Sequence, residues 1–124
     1  FNPEINLKEQ LNSKLKQKDY QKVKIISLTH TSNVTGKLFN ASLLFIEAKS
    51  LFKNVFTILD ASQSISKIKI DVKTLNIDAL VFSSHKVYGP SGIGILYIKK
   101  SKQNQVNSFL LGSQILDELK DKYT

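Results

Sequence analysis

Val55-Phe56-Thr57-Ile58-Leu59-Asp60-Ala61-Ser62-Gln63-Ser64 opens on a short apolar run and closes on a carboxylate followed by small polar residues. A run of this length, rich in β-branched and aromatic side chains and bounded by turn formers, is the pattern of a buried strand. Ala79-Leu80-Val81-Phe82 repeats it and leads directly into Ser83-Ser84-His85-Lys86-Val87-Tyr88-Gly89-Pro90-Ser91-Gly92-Ile93-Gly94. Outward from this pair, residues 23–29 form a further apolar run, residues 40–52 carry Leu43, Leu44, Ile46, Ala48 and Leu51 at helical positions, and residues 93–98 (IGILYI) make a fourth strand. Asp71 to Leu75 suits a short helical turn, and Asn2-Pro3-Glu4 is a helix start followed by Leu7, Leu11 and Leu15 on one face. Strands alternating with helices predict an α/β fold with a mainly parallel sheet flanked by helices on both faces. The fourth strand follows a glycine-rich loop too short for a crossover helix, which opens an antiparallel pairing there.

The charge of +8 over 124 residues comes entirely from lysine, with no arginine. Bidentate recognition of guanine and phosphate favours arginine, and Lys14, Lys16, Lys18, Lys22 and Lys24 have the spread of a solvated face; no nucleic-acid partner is expected. There is no cysteine, hence no disulfide framework, thiolate metal site or cysteine nucleophile in these residues. No apolar run approaches the roughly 18 residues that span a bilayer, and the expected location is cytoplasmic. Phe1 in first position and the absence of methionine lead to the expectation that this is an excised piece of a longer protein.

In an open α/β sheet, ligands gather outside the carboxyl ends of the strands. Asn33, Asp60 and the run from Ser83 to Lys86 fall at three such ends. A carboxylate there can keep a pyridine nitrogen protonated, a lysine can bond an aldehyde, and the hydroxyls and imidazole beside it can bind phosphate. That combination suits pyridoxal 5′-phosphate (PLP). Each residue has a plainer reading: Asp60 as the cap of the following turn, Lys86 as a solvent contact. His30, His85 and Asp60 lack metal-ligand spacing, so no metal site is expected. Gly92-Ile93-Gly94 opens a strand rather than the helix a dinucleotide loop requires, and no Gly-x-Ser-x-Gly elbow supports a serine hydrolase.

Three blocks, in order, resemble the PLP-dependent cysteine desulfurases of the class V aminotransferase family, in the branch that includes selenocysteine lyases. His30-Thr31-Ser32-Asn33-Val34-Thr35-Gly36 is similar to H-x-S-N-V-x-G, Asp60-Ala61-Ser62-Gln63-Ser64 to D-G-A-Q-S, and Ser83 to Gly94 to S-G-H-K-x-Y-G-P-T-G-I-G. Ala61, Ser62 and Ser84 depart from the pattern, Ser84 replacing a glycine. The resemblance implies part of the large domain of a fold-type I PLP enzyme over residues 1–124, without the N-terminal phosphate-loop region and the C-terminal small domain. It further implies that Lys86 is the catalytic lysine bonded to the cofactor aldehyde. By the same likeness Asp60 partners the pyridine nitrogen, Gln63 the ring oxygen and Ser83 with His85 the phosphate, while Asn33 lies beside ring and substrate carboxylate. His30 matches the motif without an assigned role, and Leu111-Gly112-Ser113 echoes a glycine-rich stretch of relatives.

The activity so implied converts L-cysteine to L-alanine, passing sulfur as a persulfide to an acceptor protein for iron–sulfur cluster or thio-cofactor synthesis. The intact enzyme is expected to be a homodimer and this piece alone to be inactive. Alternatives are a selenocysteine lyase, another class V enzyme such as a kynureninase-like hydrolase, or a non-catalytic remnant that binds a partner through its lysines.

Overall fold

The computed structural model describes residues 6–12 and 16–107. Four strands, β1 (Ile25–Thr29), β2 (Phe56–Asp60), β3 (Ala79–Ser83) and β4 (Gly94–Ile98), form one sheet in the order β1-β2-β3-β4. The first three are parallel and β4 runs antiparallel to β3, as the short loop requires. Helix α1 (Leu7–Asn12) and helix α2 (Ala41–Leu51) precede and follow β1, and 3-10 turns occupy Gln17–Lys22, Ser84–Val87 and Lys100–Gln105. Asn40 caps α2, its Oδ1 accepting from the Leu43 amide at 3.1 Å. The α1 start lies at Asn6, whose Oδ1 accepts from the Lys8 amide at 2.9 Å; the Asn2-Pro3-Glu4 start, Leu15 and Leu111-Gly112-Ser113 lie outside the described residues, as does the side chain of Leu11.

The core forms between one face of the sheet and the two crossovers. Leu28, Leu59 and Leu80 pack with Ala41, Leu44 and Phe45 of α2, and Ile65, Ile70, Val72 and Leu75 from the segment between β2 and β3 close over them. A second cluster, Leu7, Ala48, Phe52 and Val55, seats α1, with Tyr20 tilted against Phe52 at 5.4 Å between ring centroids. Glu47 of α2 fastens the join by accepting from the Leu7 amide at 3.1 Å.

The expectation of helices on both faces does not hold among the described residues. Parallel crossovers are almost always right-handed, so strands added in one direction place every crossover on the same side. Here the order never reverses, and both the α2 crossover and the 61–78 crossover pack on the Leu59 side. The opposite face carries Phe56, Ile58, Val81 and Ile98, leaves Ile25 61% and Leu96 59% exposed, and forms a concavity of about 520 Å³.

At the amino ends of β2 and β3, the Asp78 carboxylate is 1% exposed. It accepts from the Thr57 amide at 3.0 Å, the Thr57 hydroxyl at 3.1 Å and the Lys49 ammonium at 3.0 Å. Burial by itself raises its pKa, but the Thr57 amide, Lys49 and the Thr57 hydroxyl together hold it below the ordinary value. Lys49 also donates to the Asn76 carbonyl at 2.6 Å, so one buried carboxylate ties α2 to both strands.

Candidate active site

Parallel pairing aligns Thr29 with Asp60 and Asp60 with Val81, so β1 and β2 end side by side and β3 runs two residues further, to Ser83. Side chains alternate along a strand. Asp60, Val81 and Ser83 therefore share the sheet face opposite α2, and standard strand spacings put Asp60 and Ser83 about 8 Å apart.

Asp60 ends β2, and its Oδ1 accepts from the Ser62 amide at 2.9 Å, which realises the turn-capping reading. Capping engages that one oxygen; among the described residues Oδ2 carries no hydrogen bond. The turn is then wound tightly: the Ser64 and Ile65 amides both donate to the Ala61 carbonyl at 2.9 Å, and the Ala61 amide continues the ladder to Val81 at 2.9 Å. Ala61 is fully buried in the α2-side core.

The loop after β1 grips this turn twice. Gln63 Nε2 donates to Asn33 Oδ1 at 2.8 Å, bringing two expected site residues into contact. Deeper, His30 is 5% exposed and its Nδ1 lies 3.0 Å from the Ser64 hydroxyl. The same hydroxyl lies 3.3 Å from the Ala61 carbonyl, and in the tautomer in which it donates there the ring donates to it through Nδ1–H. Burial lowers the His30 pKa, so the imidazole is neutral near pH 7. The contact was not apparent in the sequence, since the partners are 34 residues apart.

Ser83 ends β3 opposite Gly94. Ser84, in place of the family's glycine, is buried; its hydroxyl donates to the Pro90 carbonyl, its amide to Ile93 at 3.0 Å, and its carbonyl accepts from Gly89 at 2.9 Å. The backbone bonds close the 84–93 loop upon itself, and the substitution adds the hydroxyl bond to Pro90. Gly89 is required by that closure, because a Cβ there would stand 3.0 Å from both Cβ and the carbonyl oxygen of Ser84. His85 and Lys86 are exposed on the 3-10 turn, and Tyr88 leaves it in the left-handed conformation at φ 63°. Among the described residues neither His85 nor Lys86 is bonded to Asp60, Gln63 or Asn33. The strand ends gather the expected residues along one edge, and only Asn33 and Gln63 touch.

The matching family model is that of the class-V aminotransferases, over residues 3–124. The chain belongs to this family. It is 37% identical over 100 residues to a "probable cysteine desulfurase" of Mycoplasma genitalium, covering 81% of this chain and 24% of that protein. Among solved structures, an apo cysteine desulfurase of Thermococcus onnurineus superposes with TM-score 0.66 and 31% identity over 77% of this chain and 24% of its own. A structure described as SspA in complex with cysteine superposes with TM-score 0.68 and 29% identity over 82% of this chain and 28% of its own. The chain thus spans about a quarter of the length of the relatives it matches. Class V aminotransferases are PLP enzymes, and the donor set at the strand ends suits that group: a carboxylate with one oxygen free, a paired amide, hydroxyls and an imidazole beside an unbonded lysine. Among the described residues no helix is long and apolar enough to cross a membrane.

Proposed function

We propose that residues 1–124 are the central part of the PLP-binding large domain of a cysteine desulfurase, working in the cytoplasm as a homodimer when intact. The observation that carries this reading is the alignment of three parallel strand ends, which sets Asn33, Asp60 with Gln63, and Ser83 to Lys86 along one edge. PLP, when bound, supplies an aldehyde that bonds amines and a ring that draws electrons from the substrate α-carbon. Asp60, through its free oxygen, would hold the proton on the ring nitrogen. Gln63, fixed by Asn33, keeps a second amide hydrogen to donate to the ring oxygen, and Ser83 and His85 would bind the phosphate. Asn33, with its Oδ1 taken by Gln63, presents its amide hydrogens beside the ring to a substrate carboxylate. Lys86 would bond the aldehyde and, once released, move the α-proton of the amino acid.

The substrate of this reading is L-cysteine. Its carbon–sulfur bond breaks, the sulfur passes to a thiol as a persulfide, and L-alanine remains. With no cysteine in these 124 residues, that thiol belongs to another part of the enzyme, from which the sulfur goes on to an acceptor protein.

The test is borohydride reduction after incubation with PLP, followed by peptide mass mapping, with Lys86→Ala as control. A pyridoxyl adduct confined to Lys86 supports the assignment. Labelling spread over many lysines and unchanged in the variant overturns it for this chain.

A further inference from the structure

We infer that His30 is a positioning residue, which locks the 61–64 turn through Ser64 so that Gln63 meets Asn33 and Asp60 keeps one oxygen free. Three observations converge on the ring and its backbone. The Nδ1–Ser64 contact is buried and spans two crossovers. The His30 amide donates to the Asp60 carbonyl at 2.9 Å, and the His30 carbonyl accepts from Phe39 at 2.9 Å, so the residue cannot shift without moving the end of β2. Finally, Asn33 stands three residues further along the same loop and holds Gln63, so the loop seizes the turn at a buried point and an exposed point. The exposed amide pair alone is worth little in water, whereas the buried one is made where no water competes. The buried contact therefore decides the geometry, and the exposed one follows it.

The importance of this grip for catalysis rests on the PLP reading above; the grip itself is testable without cofactor. The full chain is compared with His30→Ala, Ser64→Ala and His30→Asn by amide hydrogen exchange and by the NMR signals of the Gln63 side-chain amide. Asn places its amide nitrogen where Nδ1 stands. In His30→Ala and Ser64→Ala, the Ser64 or residue-64 and Ile65 amides should exchange about tenfold faster and the Gln63 signals should collapse toward those of a free amide, with β1 to β3 amides unchanged. His30→Asn should restore both. Should His30→Ala unfold the chain, Ser64→Ala alone decides. Unaltered Gln63 signals and exchange in Ser64→Ala would overturn the inference. With PLP, wild-type labelling confined to Lys86 that turns diffuse in His30→Ala and Ser64→Ala but stays confined in His30→Asn extends the role to the site. Absence of specific labelling in the wild type would sink the PLP reading while leaving the apo result to judge His30.

Discussion

The turn after β2 and the loop after β3 lie at neighbouring strand ends and hold most of the expected site, yet they are built in opposite ways. Residues 60–64 sit on the core through Ala61, are bonded internally, and are gripped by His30 and Asn33 from another strand. Residues 84–93 are held mainly by their own Ser84 and by glycine geometry, with His85, Lys86 and Tyr88 exposed. The residues that would orient a ring are pre-set by tertiary packing. The residue that would form a covalent bond rides on a self-closed loop. The first is fixed from outside by packing, the second from within by its own backbone and the Ser84 hydroxyl.

The comparison is broken most severely from below. Phe45 is fully buried against Leu59 and Ala61, and Phe45→Ala should cost about 3–5 kcal/mol in urea unfolding, loosening the 60–64 turn with the core. Asp78→Ala comes next, at about 3 kcal/mol, since it leaves the buried Thr57 amide without its acceptor and removes the partner of Lys49. The wild-type Asp78 pKa lies below its ordinary value, so its contribution is present at neutral pH and is lost as pH falls through the acid range below about 4. Gly89→Ala should cost about 1–3 kcal/mol through the clash with Ser84. Its signature is local: faster exchange over residues 84–93, with residues 60–64 as in the wild type.

The strands were legible because their apolar runs end abruptly at Asp60 and Ser83; loop length left an antiparallel β4 open, and the structure shows it. Coverage of one face only, among the described residues, was not, because it depends on strand order, which no local pattern encodes. Of the candidate site, Asn33, Asp60 and Gln63 were singled out by motif and the structure brings Gln63 to Asn33, but His30 with Ser64 and Asp78 with Lys49 join residues some 30 positions apart. One signal was available. Thr57 is the lone hydroxyl in a buried strand, and a buried hydroxyl needs a partner. Asp78, immediately before the next strand, is the residue that answers it.

A smaller effect separates His30 from the carboxylates. Burial depresses its pKa from the ordinary 6.5, so the unfolded chain takes up a proton that the folded chain refuses. Stability is then complete above about pH 6.5 and declines as pH falls from there toward the folded-state value. The cleft beside the ring is lined by Leu38, Phe39, Asn40, Ser42 and Leu75, none of which carries a charge to offset the imidazolium. His30→Asn should flatten that slope in denaturant titrations at stepped pH. An unchanged slope would place its origin elsewhere.

The smallest expected change in stability belongs to the residue given the largest chemical role. Lys86 is exposed and bonded to nothing among the described residues, so Lys86→Ala should leave unfolding within about 0.5 kcal/mol of wild type. The same variant should abolish specific labelling by PLP and borohydride. That pairing sharpens the contrast between the two strand ends, because it separates a contribution to the fold from the proposed contribution to PLP binding. A substantial loss of stability in Lys86→Ala would show instead that its stem packs on the 84–93 loop, and the division between a pre-set turn and a free amine would fail at its clearest point.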